Sequence, residues 1–419
     1  MVRRIEDNTK SKAGMARNIV VVGGGPAAVF AAIEAKRRDG AATVTLLTEE
    51  DCEPYEKPPL SKAVLLGKAR PEDAPIAGRG GLAAHGVVLV RNARCTAIDR
   101  TAREAVTPAG RFSYDRLVIA SGSVMRELPP LPPGAPRVHY LRTAAQARAL
   151  ADALATCKHL LVVGAGLIGL EVAASAAERN IEVTVLEVAP RIMGRVCDED
   201  TSARIQQEHQ RHGVEIVLAA EIVQVTRQLD GQIAIETADN ELYVGDHVVI
   251  GAGVRPDDAL AAAAGLRVAD GIVVDAQCRT SDPAIFAAGD CTRFPGPAGL
   301  VRLENWRHAQ EHGAIAGRNA AGADDSYAAV PSFWSEQYDL YIQGVGWPEP
   351  GVERVRRPLA GKGTLMLELK DGTIRYAVGI NAQRELAAVR RLIERKIPVA
   401  AAALADPTQP LNAMLKARA

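Results

Sequence analysis

The stretch Ile19-Val20-Val21-Val22-Gly23-Gly24-Gly25-Pro26-Ala27-Ala28 joins four β-branched residues directly to three glycines. A run of β-branched residues favours a buried strand, and the alanine-rich sequence that follows Pro26 favours a helix. Glycines at such a junction let the backbone approach a pyrophosphate, while the helix N-terminus offers unpaired N–H groups and a positive dipole end. The stretch therefore predicts a dinucleotide site contacted by Gly23, Gly25 and Ala28.

An acidic residue follows the next apolar run at a suitable distance. The run Thr43–Leu47 leads to Glu49 and Glu50. A spacing of roughly 20 residues between the glycines and the acid is typical of a carboxylate that hydrogen bonds the ribose of an adenosine. The interval from Gly25 to Glu49 is close to that spacing. We assign the ribose contact to Glu49, with Glu50 as a close alternative.

The same pattern occurs a second time further along the chain. Leu160-Leu161-Val162-Val163 runs into Gly164-Ala165-Gly166-Leu167-Ile168-Gly169, and the apolar run Glu182–Leu186 leads to Glu187 at a similar interval after Gly166. Two such fingerprints in one chain indicate two bound dinucleotides, and therefore electron transfer between them. The predicted contacts of the second dinucleotide are Gly164, Gly166, Ile168, Gly169 and Glu187.

Composition and charge narrow the class of protein. The chain has 419 residues, 47% of them hydrophobic, and it balances 50 basic against 50 acidic residues. The zero net charge gives no sign of nucleic-acid binding, and no apolar run reaches the roughly 18 residues of a membrane span. Residues 1–13 lack the apolar centre of a signal peptide. We therefore expect a cytoplasmic protein of two or three domains.

The cysteines argue against one class of flavoenzyme. Six are scattered along the chain without a Cys-x-x-Cys pair, and none forms a pair on the helix after the first fingerprint. A disulfide reductase needs two neighbouring thiols that can exchange with its substrate. We therefore expect these cysteines to be structural thiols.

Changes in sequence pattern divide the chain into domains. A proline cluster at 129–133 reads as a linker, and Thr143 reads as the N-cap of an alanine-rich helix. From Pro331 onward, alternating strands and the amphipathic helix Arg384–Lys396 replace the fingerprint pattern. The predicted fold is α/β, with two Rossmann-like domains and a C-terminal α+β domain. The expected divisions are a flexible leader at 1–16, a first nucleotide domain at 17–125 and 252–330, a second at 126–251, and the C-terminal domain at 331–419.

A third motif identifies the first nucleotide as a flavin. The sequence Thr280-Ser281-Asp282-Pro283-Ala284-Ile285-Phe286-Ala287-Ala288-Gly289-Asp290 is a turn, a short buried strand and a Gly-Asp pair. A carboxylate at Asp290 can accept hydrogen bonds from ribityl hydroxyls, while Gly289 lets the backbone pass close to the flavin. An ordinary helix N-cap is the alternative for Asp290, but agreement with the upstream fingerprint favours flavin binding.

Several sequence motifs together resemble those of one family, the NADH-dependent ferredoxin reductases of the putidaredoxin reductase and dioxygenase ferredoxin reductase type. The resemblance runs from Arg17 to Leu411 and is most specific at Pro54-Tyr55-Glu56-Lys57-Pro58-Pro59-Leu60-Ser61-Lys62. Gly166–Glu171, Leu186–Arg191 and Phe333-Trp334-Ser335-Glu336-Gln337-Tyr338-Asp339 are similar as well. The family has the glutathione-reductase fold, so the resemblance implies FAD, NADH and that architecture.

The resemblance also implies roles for individual residues. Lys62 and Glu171 are expected to form a catalytic pair at the reactive edge of the flavin, where the glutamate also reaches the nicotinamide amide. Lys57 stands where the family has arginine, which removes a bidentate phosphate contact. Gly253 lies in a turn that resembles a nicotinamide-nucleotide contact, although an ordinary glycine turn fits equally well. The remaining family contacts are Ala120, Arg126, Asp290, Asn305, Trp306 and Trp334 for the flavin and Arg195 for NADH.

The positions of the histidines in the sequence do not indicate a catalytic or metal-binding role. His308 and His312 are four apart on an expected helix, a spacing that can bind metal, but no further ligands accompany them. We therefore predict no metal site. His209 and His212 are interpreted as surface residues near a helix end.

The resulting hypothesis is an FAD-containing enzyme that oxidises NADH and passes single electrons to an acidic [2Fe–2S] ferredoxin serving an oxygenase or a cytochrome P450. Glu187 favours NADH over NADPH because a carboxylate there repels a 2′-phosphate. The alternatives are a rubredoxin reductase, a peroxide, oxygen or ascorbate-radical reductase, and a redox-regulated interaction protein resembling apoptosis-inducing factor. The oligomeric state stays open. Candidate ferredoxin-docking residues are Arg307, Arg390, Arg391, Arg395 and Lys396.

Overall fold

Two parallel sheets form the framework of the protein in a computed structural model, which describes residues 16–328, 330–361 and 363–416. The first sheet has five parallel strands, and the first fingerprint lies at the end of its central strand. Every residue of that central strand except the first is buried, as the β-branched run predicts. In spatial order its strands are Ile285–Ala287, Arg116–Ile119, Asn18–Val22, Thr43–Leu47 and Val88–Val90.

The second sheet repeats this arrangement with the second fingerprint at its centre. Its five strands are also parallel. The pairings match across the two sheets, since Val22 lies opposite Leu47 in the first and Val163 lies opposite Leu186 in the second. In spatial order its strands are Val214–Leu218, Glu182–Glu187, His159–Val163, His247–Ile250 and Val138–Tyr140.

Helices follow both fingerprints directly. We call Pro26–Arg38 the first fingerprint helix and Leu167–Ala177 the second fingerprint helix; both begin after a glycine N-cap. Thr143 caps the helix Ala144–Ala153 with its side chain, which confirms that prediction. The other α-helices are Glu199–Arg211, Ala259–Ala263, Trp306–Ala320, Gln383–Glu394, Ala401–Ala405 and Leu411–Met414, and short 3₁₀ helices cover Pro58–Ser61, Pro71–Asp73 and Leu82–His85.

The helix Trp306–Ala320, called the Trp306 helix below, packs tightly on the first fingerprint helix. A Cβ added to Gly313 or Gly317 would collide with the Ala27 or Ala31 carbonyl oxygen, so only glycine permits this approach. The Trp306 helix thereby joins the first sheet although it lies far from the first fingerprint in the sequence. This packing brings the Trp306 ring against Phe30 of the first fingerprint helix.

The C-terminal part forms an antiparallel sheet covered by the helix Gln383–Glu394. Along two of its strands, buried residues alternate with more exposed ones, as expected when one face packs on a core. Leu386, Val389 and Leu392 of the helix belong to that core. In spatial order the strands are Ser332–Gln337, Leu340–Gly346, Thr373–Ile380, Thr364–Lys370 and Glu353–Pro358.

Smaller sheets complete the described structure. Two of them are three-stranded antiparallel meanders, and one is a short antiparallel pair of strands. The meanders comprise Ala97–Asp99, Glu104–Thr107 and Gly110–Ser113, and Ile222–Arg227, Ile233–Thr237 and Leu242–Gly245; the pair is Ser123–Met125 with Val254–Pro256, and a last sheet holds Ile272–Val273, Thr292–Gly296 and Gly299–Val301.

The predicted α/β class with a C-terminal α+β part is confirmed. The first sheet takes strands from both ends of the expected discontinuous domain, since Ile285–Ala287 pairs with Arg116–Ile119. Apart from residue 16, the leader predicted at 1–16 lies outside the described residues. Within the described ranges, no helix is both long and apolar enough to cross a membrane.

Candidate functional site

The first fingerprint forms a turn that leaves room in front of the helix. Gly23 has a φ of 133°, and a Cβ there would collide with the Ala120 carbonyl oxygen and lie 3.4 Å from the Ala28 Cβ. Gly25 differs, because a Cβ built on it meets no described atom within 4 Å. Gly23 therefore closes the turn, while Gly25 faces open space at the helix N-terminus. That cradle suits a pyrophosphate.

The two candidate ribose acids have different surroundings. Glu50 accepts hydrogen bonds from the Tyr55 hydroxyl at 2.6 Å and from Lys57 Nζ at 3.3 Å. Glu49 makes a loose ion pair with Arg94 at 3.7 Å, and its side chain is more than half exposed. Glu50 thus ties Tyr55 and Lys57 together, and the Glu49 carboxylate is the more accessible of the two.

Asp290 lies in a buried polar cluster and caps no helix. Its carboxylate accepts a hydrogen bond from Ser123 Oγ at 3.2 Å and lies 3.8 Å from Arg142 Nη2. It follows the strand Ile285–Ala287 and precedes a strand, so the alternative of an ordinary N-cap is wrong. Burial raises the pKa of Asp290, and Arg142 and Ser123 oppose that shift. The cluster fits hydroxyl-bearing ligand atoms such as those of a ribityl chain.

Arg142 is a cation of this site that the sequence analysis missed. Its backbone oxygen accepts a hydrogen bond from Lys57 Nζ at 3.4 Å, and its guanidinium lies against Gly122 and Asp290. Burial lowers the pKa of Lys57, with Glu50 as the main opposing influence. Arg142 follows the carboxyl end of the parallel strand Val138–Tyr140, where ligands of such sheets bind, and that position was an available signal.

The second fingerprint repeats the geometry of the first. Gly164 has a φ of 102°, with a Cβ position only 2.6 Å from the Gly251 oxygen, and a Cβ on Gly169 would collide with the Gly164 oxygen. Gly166 faces open space, since no described atom lies within 4 Å of its Cβ position. Ile168, exposed at 44%, is the second residue of the helix that follows it.

Glu187 is hydrogen bonded to the second glycine turn. Its two carboxylate oxygens accept hydrogen bonds from Ala165 N at 2.6 Å and from Ala189 N at 2.8 Å. The carboxylate therefore lies directly beside the glycine turn, where an adenosine ribose would meet it. The adjacent Val188 is 69% exposed. Because valine is uncharged, this position offers no cation to a 2′-phosphate.

The turn around Gly253 gathers two of the predicted arginines. A Cβ on Gly253, whose φ is 90°, would lie 3.6 Å from Arg195 Nη2 and 3.9 Å from Arg126 Cδ. Arg126 also donates a hydrogen bond from Nε to the Val254 oxygen at 3.1 Å. Arg126, predicted to contact the flavin, and Arg195, predicted to contact NADH, therefore both lie beside the Gly253 turn.

Lys62 and Glu171 form an ion pair although they lie far apart in the sequence. Lys62 Nζ lies 3.2 Å from Glu171 Oε1, and Ser335 Oγ donates to the same oxygen at 2.7 Å. Ser61 donates from its hydroxyl to the other carboxylate oxygen, Oε2. Glu171 is only 3% exposed, so it is not the solvated helix residue that its position alone would suggest. The pair joins the segment that follows the first nucleotide unit to the second fingerprint helix.

Two tryptophans lie near the first fingerprint. The rings of Trp306 and Trp334 meet edge to face with centroids 6.1 Å apart, and Phe30 of the first fingerprint helix contacts Trp306 in the same way at 6.2 Å. Both tryptophans are half-buried, so neither is an ordinary core residue. Asn305 caps the Trp306 helix through a 2.8 Å hydrogen bond from His308 N.

One of the two histidines expected at the surface is buried in the structure. His209 is fully buried, so its interpretation as a surface residue is wrong; His212 is the more accessible member of the pair. His312 Nδ1 accepts a hydrogen bond from Gly289 N at 3.2 Å and so supports the Gly-Asp turn. His308 Nδ1 lies 2.8 Å from the Tyr327 hydroxyl. In the described part of the chain, no three His, Cys, Asp or Glu side chains form a metal-binding group.

The basic residues proposed for docking differ in exposure and in their acidic partners. Arg390 bridges Glu311 at 3.1 Å and Glu394 at 2.7 Å, and its side chain is only 15% exposed. It therefore links two helices and offers little charge to a partner. Arg307 is about half exposed while pairing with Glu311 at 2.9 Å.

Comparisons with known proteins agree with this arrangement. The family model of pyridine nucleotide-disulphide oxidoreductases matches residues 17–313, and the reductase C-terminal model matches residues 332–415. Rhodocoxin reductase of Rhodococcus erythropolis is 36% identical over 394 residues, covering 93% of this chain and 92% of that protein. The ferredoxin–NAD(+) reductase component of an anthranilate 1,2-dioxygenase system from Burkholderia cepacia is 37% identical, covering 94% and 98%.

A solved structure extends the match to three dimensions. The reductase in a covalent putidaredoxin reductase–putidaredoxin complex superposes with a TM-score of 0.90 at 32% identity, covering 96% of this chain and 99% of that one. Family model, relatives and structure agree over nearly the whole length. The chain therefore belongs to the ferredoxin reductase branch of the pyridine nucleotide-disulphide oxidoreductase family.

Proposed function

We propose that the protein is an FAD-dependent reductase that takes hydride from NADH and delivers single electrons to a small acidic [2Fe–2S] ferredoxin. The observation that carries the proposal is the Lys62–Glu171 pair, at 3.2 Å. One partner follows the first nucleotide unit and the other lies on the helix that begins at the second cradle, so the two nucleotides would converge there. Relatives named as ferredoxin–NAD(+) reductase components support the choice of acceptor.

The proposed FAD site consists of the first cradle and the cluster around Asp290. Gly25 admits the pyrophosphate, Glu49 holds the adenosine ribose, and Asp290 receives ribityl hydroxyls. The cations of the site are Lys57 and Arg142, which can offset the phosphate charge. The further proposed contacts are Gly23, Ala28, Lys62, Ala120, Arg126, Asn305, Trp306 and Trp334.

The proposed NADH site consists of the second cradle and its closing acid. Gly164 and Gly169 shape the turn, Gly166 leaves space for the pyrophosphate, and Glu187 binds the ribose hydroxyls. Ile168, Arg195 and Gly253 line the approach. Glu171 orients the nicotinamide amide while Lys62 holds the carboxylate in place.

FAD, when bound, accepts a hydride and releases its electrons one at a time, which is why it can join NADH to a one-electron acceptor. The protein contributes binding, orientation and charge. We place the docking face on the exposed arginines of the Trp306 helix and of the helix Gln383–Glu394, chiefly Arg307 and Arg391. The proposal includes a cytoplasmic location and the domain divisions at 125/126, 251/252 and 330/331.

Cofactor release and anaerobic reduction test the proposal. Heating the purified protein should release FAD and not FMN, and NADH should bleach the visible flavin absorbance much faster than NADPH does. Adding an acidic [2Fe–2S] ferredoxin should restore that absorbance as the ferredoxin is reduced. Release of FMN alone, or reoxidation by oxygen or peroxide but not by any ferredoxin tested, would contradict the assignment.

A further inference from the structure

A chain of buried polar side chains leads away from Glu171 into the protein. Ser335 Oγ lies 2.7 Å from Glu171 Oε1, and Gln337 Nε2 lies 3.1 Å from Ser335 Oγ. His209 Nε2 lies 2.9 Å from Gln337 Oε1, and the Tyr338 hydroxyl lies 3.2 Å from His209 Nδ1. Ser335, Gln337 and His209 are each at most 1% exposed. Burial of so many polar groups in one line requires that their hydrogen bonds match.

The hydrogen bonds of this chain can all point in only one direction. A carboxylate only accepts, so the single hydroxyl proton of Ser335 points to Glu171. Ser335 Oγ must then accept from Gln337, which turns the amide nitrogen toward Ser335 and the amide oxygen toward His209. His209 therefore carries its proton on Nε2, and its Nδ1 accepts from the Tyr338 hydroxyl. Each donor points toward the carboxylate.

The last member of the chain is held in an unusual conformation. Tyr338 has a φ of 55°, in the left-handed region that aromatic residues rarely adopt. It occupies the hairpin turn between Ser332–Gln337 and Leu340–Gly346, where its ring stacks on His212 with centroids 3.8 Å apart. The turn thus keeps the Tyr338 hydroxyl against His209 at some cost in backbone strain.

His209 is suited to a fixed, neutral role. Burial lowers its pKa to about 4, with His212 acting in the same direction and Gln337 and Glu208 opposing it. An imidazole that stays neutral can keep one nitrogen as a donor and the other as an acceptor. This is the state that the direction of the chain requires.

We propose that Tyr338, His209, Gln337 and Ser335 form a one-directional hydrogen-bond chain that positions the Glu171 carboxylate against Lys62. The inference rests on the proposed function, because it concerns the carboxylate placed where the two nucleotides would meet. The chain begins at a hairpin turn of the C-terminal sheet, passes through His209 on the helix Glu199–Arg211, returns to the sheet and ends on the second fingerprint helix. His209 is thus a positioning residue that acts through two intermediates.

The first test reads the protonation of His209 directly and needs no turnover. Nitrogen NMR of protein labelled at histidine, assigned by comparison with His209→Gln, should show a neutral ring protonated on Nε2 at pH 7. A ring protonated on Nδ1 would reverse the chain and overturn the inference. This measurement also works on protein that no NADH has reduced.

The second test compares the limiting rate of flavin reduction at saturating NADH. His209→Leu and Ser335→Ala should each lower that rate about tenfold, the effect of losing one hydrogen bond to a charged group's network. His209→Gln, which can return an N–H toward Gln337, should recover most of the loss. The dissociation constant for NADH should stay within about twofold in all three, since the adenosine half anchors the nucleotide elsewhere.

His212→Leu is the matched control, because His212 caps the C-terminus of the same helix and contacts the same tyrosine ring. It should leave the rate within about twofold of the unsubstituted protein, as expected of an accessible side chain. If the unsubstituted protein binds no FAD or is not reduced by NADH, the proposed function fails. If it is reduced normally and His209→Leu is reduced equally fast, the positioning inference is wrong and the proposed function stands.

Discussion

Alanine substitutions at the two cradle glycines should separate the two nucleotide sites. Gly25 and Gly166 have φ values of −98° and −81°, which alanine adopts without strain, and a Cβ on either meets no described atom within 4 Å. Both are helix N-caps, where alanine costs about 1 kcal/mol, and the reduced freedom of the unfolded chain offsets roughly 0.4–1 kcal/mol of that. The unfolding midpoint of either variant should therefore change by no more than about 3 °C.

The effect on ligand binding should be much larger. The new methyl group would stand where a pyrophosphate approaches the backbone N–H groups, and each lost hydrogen bond to a charged group costs about 1.5–3 kcal/mol. Gly166→Ala should weaken NAD⁺ binding by about 10–100-fold, measured by calorimetry, and should retain its FAD. Gly25→Ala should lose FAD during purification and keep its NAD⁺ affinity. Unchanged NAD⁺ affinity in Gly166→Ala, or loss of FAD from it, would refute this reading of the cradles.

Three further substitutions probe hydride transfer, nucleotide choice and docking. Glu171→Gln should retain FAD but slow stopped-flow flavin reduction about 10–100-fold, because the neutral amide loses the ion pair with Lys62 and replaces one accepting oxygen by an N–H donor. Glu187→Ala combined with Val188→Arg should shift the kcat/KM ratio toward NADPH by about 100-fold, as a repelling carboxylate is exchanged for a phosphate-binding cation. Arg307→Glu with Arg391→Glu should raise the KM for ferredoxin about fivefold at low salt and flatten its salt dependence, while ferricyanide reduction stays unchanged.

Each of these has a distinct contrary result. Flavin reduction at the normal rate in Glu171→Gln would remove the carboxylate from the hydride step. An unchanged nucleotide preference after the Glu187 and Val188 substitutions would mean that the 2′-position is read elsewhere. Equal slowing with ferredoxin and ferricyanide would place the damage of the arginine substitutions at the flavin and not at a docking face.

The two nucleotide units could be predicted because their signals are local. The β-branched run, the glycine turn and the alanine-rich helix follow one another directly in the sequence, and both sheets repeat that order. The Lys62–Glu171 pair was reachable only through the family resemblance, since its members belong to distant segments of the chain. Asp290 combined both kinds of signal, a local strand ending in Gly-Asp and agreement with the upstream fingerprint.

The sequence was misleading where contacts between distant segments determine the burial or the pairing of a side chain. His209 lies in a helix with a polar sequence, and it is buried because Gln337, from a distant strand, packs against it. Arg142 precedes an N-cap and carried no motif, although its position at a strand end was a usable signal. Arg390 looked like a free cation on an amphipathic helix. Its partner Glu394 was visible at the i,i+4 spacing, but the contact with Glu311 on another helix was not.

The stoichiometry of anaerobic electron transfer shows whether the protein passes electrons from NADH to a ferredoxin. The purified protein, NADH and an acidic [2Fe–2S] ferredoxin are mixed without oxygen, and the absorbances of NADH and of the cluster are followed together. About two ferredoxins should be reduced for each NADH consumed, because a hydride carries two electrons and the cluster accepts one. NADH consumption without cluster reduction, or no consumption until oxygen is admitted, would contradict it.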